Sequence, residues 1–187
     1  VPLREVAFRL RCADRQTSGV VLATDPAFFE VVNMRLSSGR FLSTEDERTR
    51  KKVCILGAEI ARQLFSYEDP LGKTITVVSH GGSQPLTVVG VLAEIETAGT
   101  PAQGIAKRDS NRDVYMPFKT GFSLFGTKIV ITRTGSNEFR EVEYTDLYIQ
   151  VADDAYVKDV SEMVKQIMNA AHKRPDYSIS VPLELLM

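Results

Sequence analysis

Residues 53–65 read Val-Cys-Ile-Leu-Gly-Ala-Glu-Ile-Ala-Arg-Gln-Leu-Phe. The first four form a continuous apolar run, which is typical of a strand buried on both faces. Gly57 ends that run, and apolar side chains then recur at helical spacing at Ile60, Ala61, Leu64 and Phe65. The stretch therefore predicts a short strand followed directly by a helix, and it places no reactive group.

A turn and a hairpin follow this helix. Asp69-Pro70-Leu71-Gly72 predicts a turn, because proline fixes φ and glycine can adopt a positive φ. From residue 73 the pattern becomes strand-like, since Ile75 and Val77 alternate with threonines. The Gly81-Gly82 pair and the apolar run over residues 86–92 complete the pattern of a β-hairpin.

The residues before this stretch predict strands and short helices. Alternating apolar residues predict a half-buried strand over residues 3–12, and a second strand begins at residues 20–23. Asp25-Pro26 predicts a helix start with the aspartate as N-cap and the proline in the first turn. Thr44 and Glu47 have the spacing of a capping box at the start of another helix.

The residues after it predict a loop, further strands and one long helix. Residues 97–112 contain no periodic pattern, and we expect an exposed loop that is suited to a partner contact. Strands are predicted over residues 114–116, 129–131, 143–151 and 177–181, with a helix over 117–125 and a polar turn over 134–138. Asp153-Asp154 predicts the cap of the long helix, whose inner face is Val157, Val160, Val164, Ile167, Met168 and Ala171. The last part therefore predicts a β-α-β unit of the ferredoxin-like kind.

The composition is that of an ordinary globular chain. Of its 187 residues, 43% are hydrophobic and 25% are charged, so the chain is able to bury a sizeable core. A net charge of −1 predicts no field that attracts nucleic acid or anionic lipid, and the basic cluster at residues 48–52 is interpreted as a solvated loop. No run approaches the roughly 20 apolar residues that span a bilayer. The chain starts at Val1 without a signal peptide, and we expect it to be a fragment of a longer protein.

Two motif-like strings lack the features that would make them sites. Gly72-Lys73-Thr74 matches the end of a P-loop, but the earlier glycine position holds Tyr67 and the segment opens a hairpin instead of a helix. Asp109-x-Asn111-x-Asp113 matches the start of a calcium loop, but Val114 replaces the glycine that such a loop requires. The sequence therefore predicts no catalytic, cofactor-binding or metal-binding residues.

The histidines and cysteines leave two alternatives open. His80 and His172 have no second ligand at metal spacing. A hydrolase site assembled in the fold would require one of them beside a cysteine or a carboxylate. Cys12 and Cys54 lie in strand-like patterns, where a buried thiol behaves as a small hydrophobe, and we expect them to be unpaired. A disulfide between them in an oxidising compartment is the alternative.

Several phrases occur along the chain in a recognisable order. They are Asp25-Pro26-Ala27-Phe28-Phe29-Glu30, Ser38-Gly39-Arg40-Phe41, Ala61-Arg62-Gln63-Leu64-Phe65, Asp69-Pro70-Leu71-Gly72-Lys73-Thr74-Ile75, Val88-Val89-Gly90-Val91 and Asp113-Val114-Tyr115-Met116-Pro117. Over residues 19–187 this order resembles the extracytoplasmic core domain of MacB-like ABC transporter permeases, which are related to the lipoprotein-release permeases.

The resemblance implies an α+β fold with two lobes. Residues 1–51 and 131–187 would form an α/β ferredoxin-like, porter-like lobe. Residues 52–130 would form a β-rich lobe inserted into it.

The resemblance also implies a non-enzymatic function on the periplasmic face of the inner membrane. Such a domain couples ATP hydrolysis, on a separate cytoplasmic domain, mechanically to substrate export or lipoprotein release. The implied partners are the transmembrane helices and ATPase domain of the same transporter, a second permease copy and, in transporters with an adaptor, a periplasmic membrane-fusion protein. The alternative function is a free-standing extracytoplasmic module that binds a peptide or a small ligand.

Overall fold

The computed structural model describes residues 1–12, 15–66, 68–79, 82–95, 109–126, 128–133, 136–141, 144–171 and 177–181. Val1–Ile95 together with Asp109–Tyr148 forms one compact unit, and the described residues from 149 onward belong to a second unit. The mixture of strands and helices agrees with the predicted α+β class.

The helices and strands have the following bounds. The strands are β1 (Pro2–Cys12), β2 (Arg15–Thr24), β3 (Leu36–Gly39), β4 (Val53–Leu56), β5 (Thr74–Ser79), β6 (Gly82–Leu92), β7 (Asp113–Pro117), β8 (Lys128–Arg133), β9 (Ser136–Glu141) and β10 (Asp146–Leu147). The α-helices are α1 (Phe28–Val31), α2 (Thr44–Arg48), α3 (Ala58–Phe65), α4 (Phe118–Phe125) and α5 (Val157–Ala171).

Six strands of the first unit close into a ring. Their order is β1, β2, β7, β4, β6 and β5, and β5 pairs with both β6 and β1. The pairs β2–β7 and β4–β6 are parallel, and the other pairs in the ring are antiparallel. The two longest strands each pair with a further strand at one end, because β1 also carries β10 and β6 also carries β3. The hairpin of β8 and β9 forms a separate two-stranded sheet.

One apolar cluster fills the ring. It contains side chains from all six strands together with the buried face of α3: Leu10, Val21, Ala23, Cys54, Leu56, Ile75, Val77, Leu86, Val88, Val91, Val114 and Met116 from the strands, and Ile60, Ala61, Leu64 and Phe65 from the helix. Residues 53–65 therefore form the strand and helix that their pattern predicts, with all four residues of β4 buried.

A second cluster packs on the other face of the sheet and is rich in aromatic rings. Phe28 and Phe29 of α1 pack on Tyr115 of β7, with ring centroids 5.6 and 5.4 Å apart. Phe41 lies 5.0 Å from Phe29, and Tyr148 lies 5.2 Å from Phe28. The Asp-Pro-Ala-Phe-Phe phrase thus contributes aromatic side chains to the core.

The predicted capping box is wrong by one residue. Ser43, and not Thr44, is the N-cap of α2, and its hydroxyl accepts a hydrogen bond from the Asp46 amide at 3.2 Å. The Asp46 carboxylate accepts from the Ser43 amide at 3.0 Å in return. Arg40 donates to both oxygens of the same carboxylate, at 2.6 and 3.1 Å. Arg40 lies outside the capping motif in the sequence, and its guanidinium favours the box that uses Asp46.

Glu47, which the sequence assigned to that box, instead holds α4 against α2. Its Oε1 accepts from the Lys119 backbone amide at 3.0 Å, in the first turn of α4, whose own N-cap is Pro117 and offers no side-chain acceptor. Thr120 adds a second tie, because its hydroxyl donates to the Lys51 carbonyl at 3.0 Å. The sequence predicted that Glu47 caps its own helix, but its carboxylate joins α2 to α4.

Other local predictions also require correction. Ala27, and not Asp25, precedes α1, and the Asp25 side chain accepts from the Ala27 amide at 3.0 Å in a turn. The strand expected over residues 143–151 is reduced to the two residues of β10 among those described, and β9 occupies part of the expected 134–138 turn. Residues 177–181 have no strand assignment.

In the second unit, α5 begins at Val157, after a 3-10 turn over Asp154–Tyr156. Val157, Val160, Val164 and Met168 are half-buried, as the inner face predicts. Ile167 is 60% exposed and Ala171 is also exposed, so the predicted inner face is too wide. Within the described residues, no helix is long and apolar enough to cross a membrane.

The ring takes strands from both predicted lobes. Val20–Thr24 pairs with Asp113–Pro117, and Arg9–Arg11 pairs with Thr76–Val78. These pairings cross the boundary at residue 52 that the resemblance implies. The ferredoxin-like form of the lobe from residues 1–51 and 131–187 stays a prediction.

Candidate functional site

A polar cleft of about 310 Å³ lies beside the residues that follow β6. Its lining consists of Glu59, Arg62, Gln63, Glu94, Asp109, Asn111 and Arg112. It includes residues on both sides of the predicted partner loop, since Glu94 precedes and Asp109 follows the segment 96–108. Residues 97–108 of that loop lie outside the described residues. Three lining residues, Asp109, Asn111 and Arg112, belong to the predicted loop, so its described end borders the cleft.

Arg62 is the centre of the cleft. Its guanidinium donates to Glu59 at 2.7 and 3.3 Å, one helical turn away on α3, and to both oxygens of Glu94 at 2.7 Å. Hydrogen bonds from Arg62 lower the pKa of Glu59 and of Glu94, and the two carboxylates raise the pKa of Arg62. All three side chains are thus ionised and paired with one another at neutral pH.

Asn111 ties the two ends of the 96–108 segment together. Its amide nitrogen donates to the Ile95 carbonyl at 2.8 Å, and its amide oxygen accepts from the Ile95 backbone N–H at 2.9 Å. The side chain therefore copies the pairing of a neighbouring strand. Asp109 shapes the turn beneath it, because its carboxylate accepts from the Asn111 backbone amide at 3.1 Å.

Gly57, between β4 and α3, allows this turn to approach the sheet. A Cβ at this position would lie 2.5 Å from the backbone oxygens of Ser110 and Asn111, which is closer than any side chain tolerates. The Gly57 amide donates to the Asp113 carbonyl at 2.8 Å. Gly57 is therefore required because a side chain would not fit beside the turn. Its backbone conformation does not require glycine, since every residue can adopt its φ of −66°.

The chemistry of the cleft is that of a structural clamp. Its lining offers ion pairs and amides, which position backbone segments, and it contains neither a thiol nor a hydroxyl group. Within the described part of the chain, no group of three His, Cys, Asp or Glu residues is placed to hold a metal ion. The geometry supports a contact surface held by ion pairs and amide hydrogen bonds.

The two motif-like strings form ordinary structural contacts. Gly72 has a φ of +75°, Lys73 bonds to Glu68, and Thr74 starts β5, so this string opens a strand as the sequence predicted. In the calcium-like string, the carboxylate of Asp113 is buried within β7 and accepts from the Tyr115 hydroxyl at 3.3 Å. Asp109 thus shapes a turn, Asn111 binds the backbone of Ile95, and Asp113 lies in the core.

Cys12 and Cys54 are free thiols, as the sequence predicted. Burial in the ring raises the pKa of Cys54, so this thiol is an unreactive core group. The Cys12 thiol lies 3.7 Å from the Thr74 carbonyl. His80 and His172 lie outside the described residues.

The sequence indicated only part of the ion-pair network around Arg62. Glu59 and Arg62 are three residues apart on a predicted helix, and this spacing indicates an ion pair. Glu94 lies 32 positions after Arg62 and has no local signal. Reasoning from the sequence also missed Arg4, because an arginine beside Glu5 at the start of a strand is usually solvated, whereas Arg4 is 1% exposed.

Curated relatives of this chain are ABC transporter proteins. The macrolide export ATP-binding/permease protein MacB of Bdellovibrio bacteriovorus is 26% identical over 156 residues, which cover 83% of this chain and 20% of that protein. The ABC transporter permease YknZ of Bacillus subtilis is 24% identical over 170 residues, which cover 91% of this chain and 36% of that protein. The chain thus spans about a fifth to a third of the length of these relatives.

Solved structures share the fold. The extracellular domain of the noncanonic ABC-type transporter YknZ from Gram-positive bacteria matches with a TM-score of 0.70 and 19% identity, over 97% of this chain and 79% of that one. The periplasmic region of MacB from Actinobacillus actinomycetemcomitans matches with a TM-score of 0.58 and 20% identity, over 90% of this chain and 66% of that one. Residues 2–167 match the model of the MacB-like periplasmic core domain, and the chain therefore belongs to this family, as its resemblance indicated.

Proposed function

We propose that this chain is the extracytoplasmic domain of an ABC transporter permease and that it works without catalysis. The observation that carries the proposal is the family match over residues 2–167. The domain stands on the periplasmic face of the inner membrane as part of an integral membrane protein. ATP is hydrolysed on a separate cytoplasmic domain, and this domain couples that hydrolysis mechanically to substrate export or lipoprotein release.

The closed ring supports a mechanical role. Each of its six strands is hydrogen-bonded on both sides, so displacement of one strand strains the pairing of its two neighbours. The Arg62–Glu94 ion pair fastens α3 to the residues after β6, and the hydrogen bonds between Asn111 and Ile95 fasten those residues to the ones before β7. A ring built in this way transmits a displacement from one of its strands to the next with little internal yielding.

The proposed partners follow from the relatives and from the expected lobes. They are the transmembrane helices and ATPase domain of the same transporter, a second permease copy and, where the transporter uses one, a periplasmic membrane-fusion adaptor. A porter-like lobe from residues 1–51 and 131–187 forms part of this proposal. The pairing of β1 and β2 with β5 and β7 would join it to the lobe of residues 52–130.

The first test fractionates native cells with an antibody to this domain. We expect the antigen to resist alkaline extraction from membranes and to have at least about twice the 20.8 kDa mass of this chain. A soluble product near the mass of the chain would contradict the permease assignment and favour a free-standing extracytoplasmic binding module.

A second test addresses mechanical coupling alone. Antibody fragments against the domain are added to the purified full-length transporter in nanodiscs, and its ATP hydrolysis is measured. If the domain moves in each cycle, fragments that restrain it lower the rate several-fold without contacting the ATPase. Unchanged rates at saturating concentrations of every fragment would contradict mechanical coupling and leave the permease assignment intact.

A further inference from the structure

The side chain of Arg4 is buried without a counter-ion among the described residues. It lies on β1 with 1% of its surface exposed, and its Nε and Nη1 atoms have no hydrogen-bond partner there. Burial lowers the pKa of Arg4, but a guanidinium keeps its charge at neutral pH. An unpaired buried charge is costly, so its presence here requires an explanation.

The burial results from the close approach of α4 to β1 and β2. Arg4 pairs across the sheet with Ala23, and a Cβ added to Gly121 would lie 2.5 Å from the Ala23 Cβ. Because both residues are small, the helix descends onto the sheet beside Arg4. The next helical residue, Phe122, then covers the guanidinium, with its ring centroid 5.8 Å from Cζ.

The Phe122 ring that covers Arg4 is partly exposed, and a second exposed ring, Tyr144, packs on the same helix. Phe122 is 44% exposed and Tyr144 is 50% exposed. Phe118, one helical turn before Phe122, stacks on Tyr144 with ring centroids 5.5 Å apart and planes inclined by 16°. We call Arg4, Phe118, Phe122 and Tyr144 the Arg4 surface. Exposed aromatic rings around an arginine are a composition that protein interfaces favour.

Among the residues that the structure describes, Glu5 and Glu47 do not pair with Arg4. Glu5 follows Arg4 on β1, and successive side chains of a strand point to opposite faces. Glu47 of α2 accepts from the backbone of α4. Within the described part of the chain, the Nε and Nη1 donors of Arg4 thus stay available for an acceptor from another molecule.

We propose that the Arg4 surface binds an acidic segment of a partner protein, with a carboxylate of that segment paired to the Arg4 guanidinium. The Phe122 ring moves aside to admit the carboxylate, and the three aromatic rings pack on apolar side chains next to it. Charge complementarity selects this occupant, because a guanidinium forms its strongest hydrogen bonds with carboxylates. The inference does not depend on the proposed transport function.

The first experiment measures thermal unfolding of the Arg4→Met variant. Methionine fills similar space without a charge, so we expect the melting temperature to rise by about 2–4 °C. Arg9→Met, on the exposed face of the same strand, is the control, and we expect it to leave the melting temperature unchanged. A lower melting temperature for Arg4→Met would show that Arg4 has a structural partner and would overturn the proposal.

The second experiment measures binding of a labelled peptide of alternating leucine and glutamate, with a glutamine counterpart as its neutral match. We expect at least tenfold tighter binding of the glutamate peptide, with the preference lost in Arg4→Met and kept in Arg9→Met. Phe122→Ala keeps the guanidinium and removes its cover, so the glutamate peptide associates several-fold faster. Equal binding of both peptides overturns the proposal, as does an NMR shift of the Arg4 Nε–H signal that inorganic phosphate or anionic vesicles alone reproduce.

Discussion

The carboxylate of Asp46 provides a quantitative test of how the fold is held together near α2. It is fully buried and accepts hydrogen bonds from Arg40 at 2.6 and 3.1 Å and from the Ser43 amide and hydroxyl at 3.0 and 2.8 Å. Burial alone would raise the pKa of Asp46, but the bonds from Arg40 and Ser43 outweigh it and lower this pKa from 3.8 to about 2.

This lowered pKa has a definite energetic sign and size. A carboxylate with a lower pKa in the folded state stabilises that state above its unfolded pKa, and the stabilisation is lost as the pH falls through the folded value. At about 1.4 kcal/mol per pKa unit, the contribution of Asp46 is about 2 kcal/mol at pH 7. About half of it persists at pH 3, and little remains at pH 2.

The perturbation is Asp46→Asn, and the assay is urea unfolding followed by circular dichroism at pH 7 and pH 3. We expect the free energy of unfolding to fall by about 2 kcal/mol at pH 7 and by about half as much at pH 3. Glu45→Gln is the matched control, because the Glu45 pair with Arg48 is solvent-exposed and worth little. An Asp46→Asn loss equal at both pH values would refute the electrostatic account, and no loss at pH 7 would refute the role of the buried carboxylate.

Other variants test the ties between elements. Glu47→Ala leaves the Lys119 amide of α4 without its acceptor and lowers the free energy of unfolding by about 1–3 kcal/mol, whereas Glu47→Gln keeps an acceptor and costs less than half as much. Gly57→Ala places a Cβ 2.5 Å from backbone oxygens and costs more than about 2 kcal/mol, whereas Gly72→Ala meets no neighbouring atom and costs about 1 kcal/mol for its positive φ. Asn111→Ala removes two hydrogen bonds, costs about 1–3 kcal/mol and speeds hydrogen exchange at the Ile95 amide.

Chemical unfolding at pH 7 checks the first two variant pairs, and hydrogen-exchange mass spectrometry checks the third change. Equal losses for the two Glu47 variants would mean that the hydrogen bond to α4 is not what holds the helices. A Gly57→Ala protein as stable as Gly72→Ala would contradict the close approach of the 110–111 turn. An unchanged rate of hydrogen exchange at the Ile95 amide in Asn111→Ala would show that the Asn111 side chain does not hold the Ile95 backbone in place.

Local chemistry in the sequence was sufficient to predict individual elements. The run over residues 53–56 and the helical spacing after Gly57 correspond to β4 and α3, since burial on both faces and an amphipathic face each leave a pattern in consecutive residues. The capping box shifted by a residue because Ser43 and Thr44 are equally suited to the N-cap position. The choice between them depends on Arg40, which lies outside the motif.

Strand partners and the candidate site were not predictable in the same way. The ring depends on pairs such as Val20 with Asp113, and nothing in either residue specifies the other. The cleft depends on Glu94 reaching Arg62 from another element, and the Arg4 surface depends on two small residues, Ala23 and Gly121, that let a helix approach. Such contacts are properties of the assembled fold, whereas sequence patterns describe neighbours along the chain.

Closure of the ring also determines when each strand can find its partner during synthesis. β1, among the first residues of this sequence, acquires its β5 partner only when residues 74–79 are present, and β2 acquires its β7 partner only when residues 113–117 are present. A chain emerging from its N-terminus therefore carries unsatisfied strand edges through more than half of these 187 residues. Contacts of such large sequence separation fold slowly, and exposed edges invite aggregation meanwhile. The same closure that resists deformation in the finished domain thus makes its biogenesis dependent on protection of the unfinished chain.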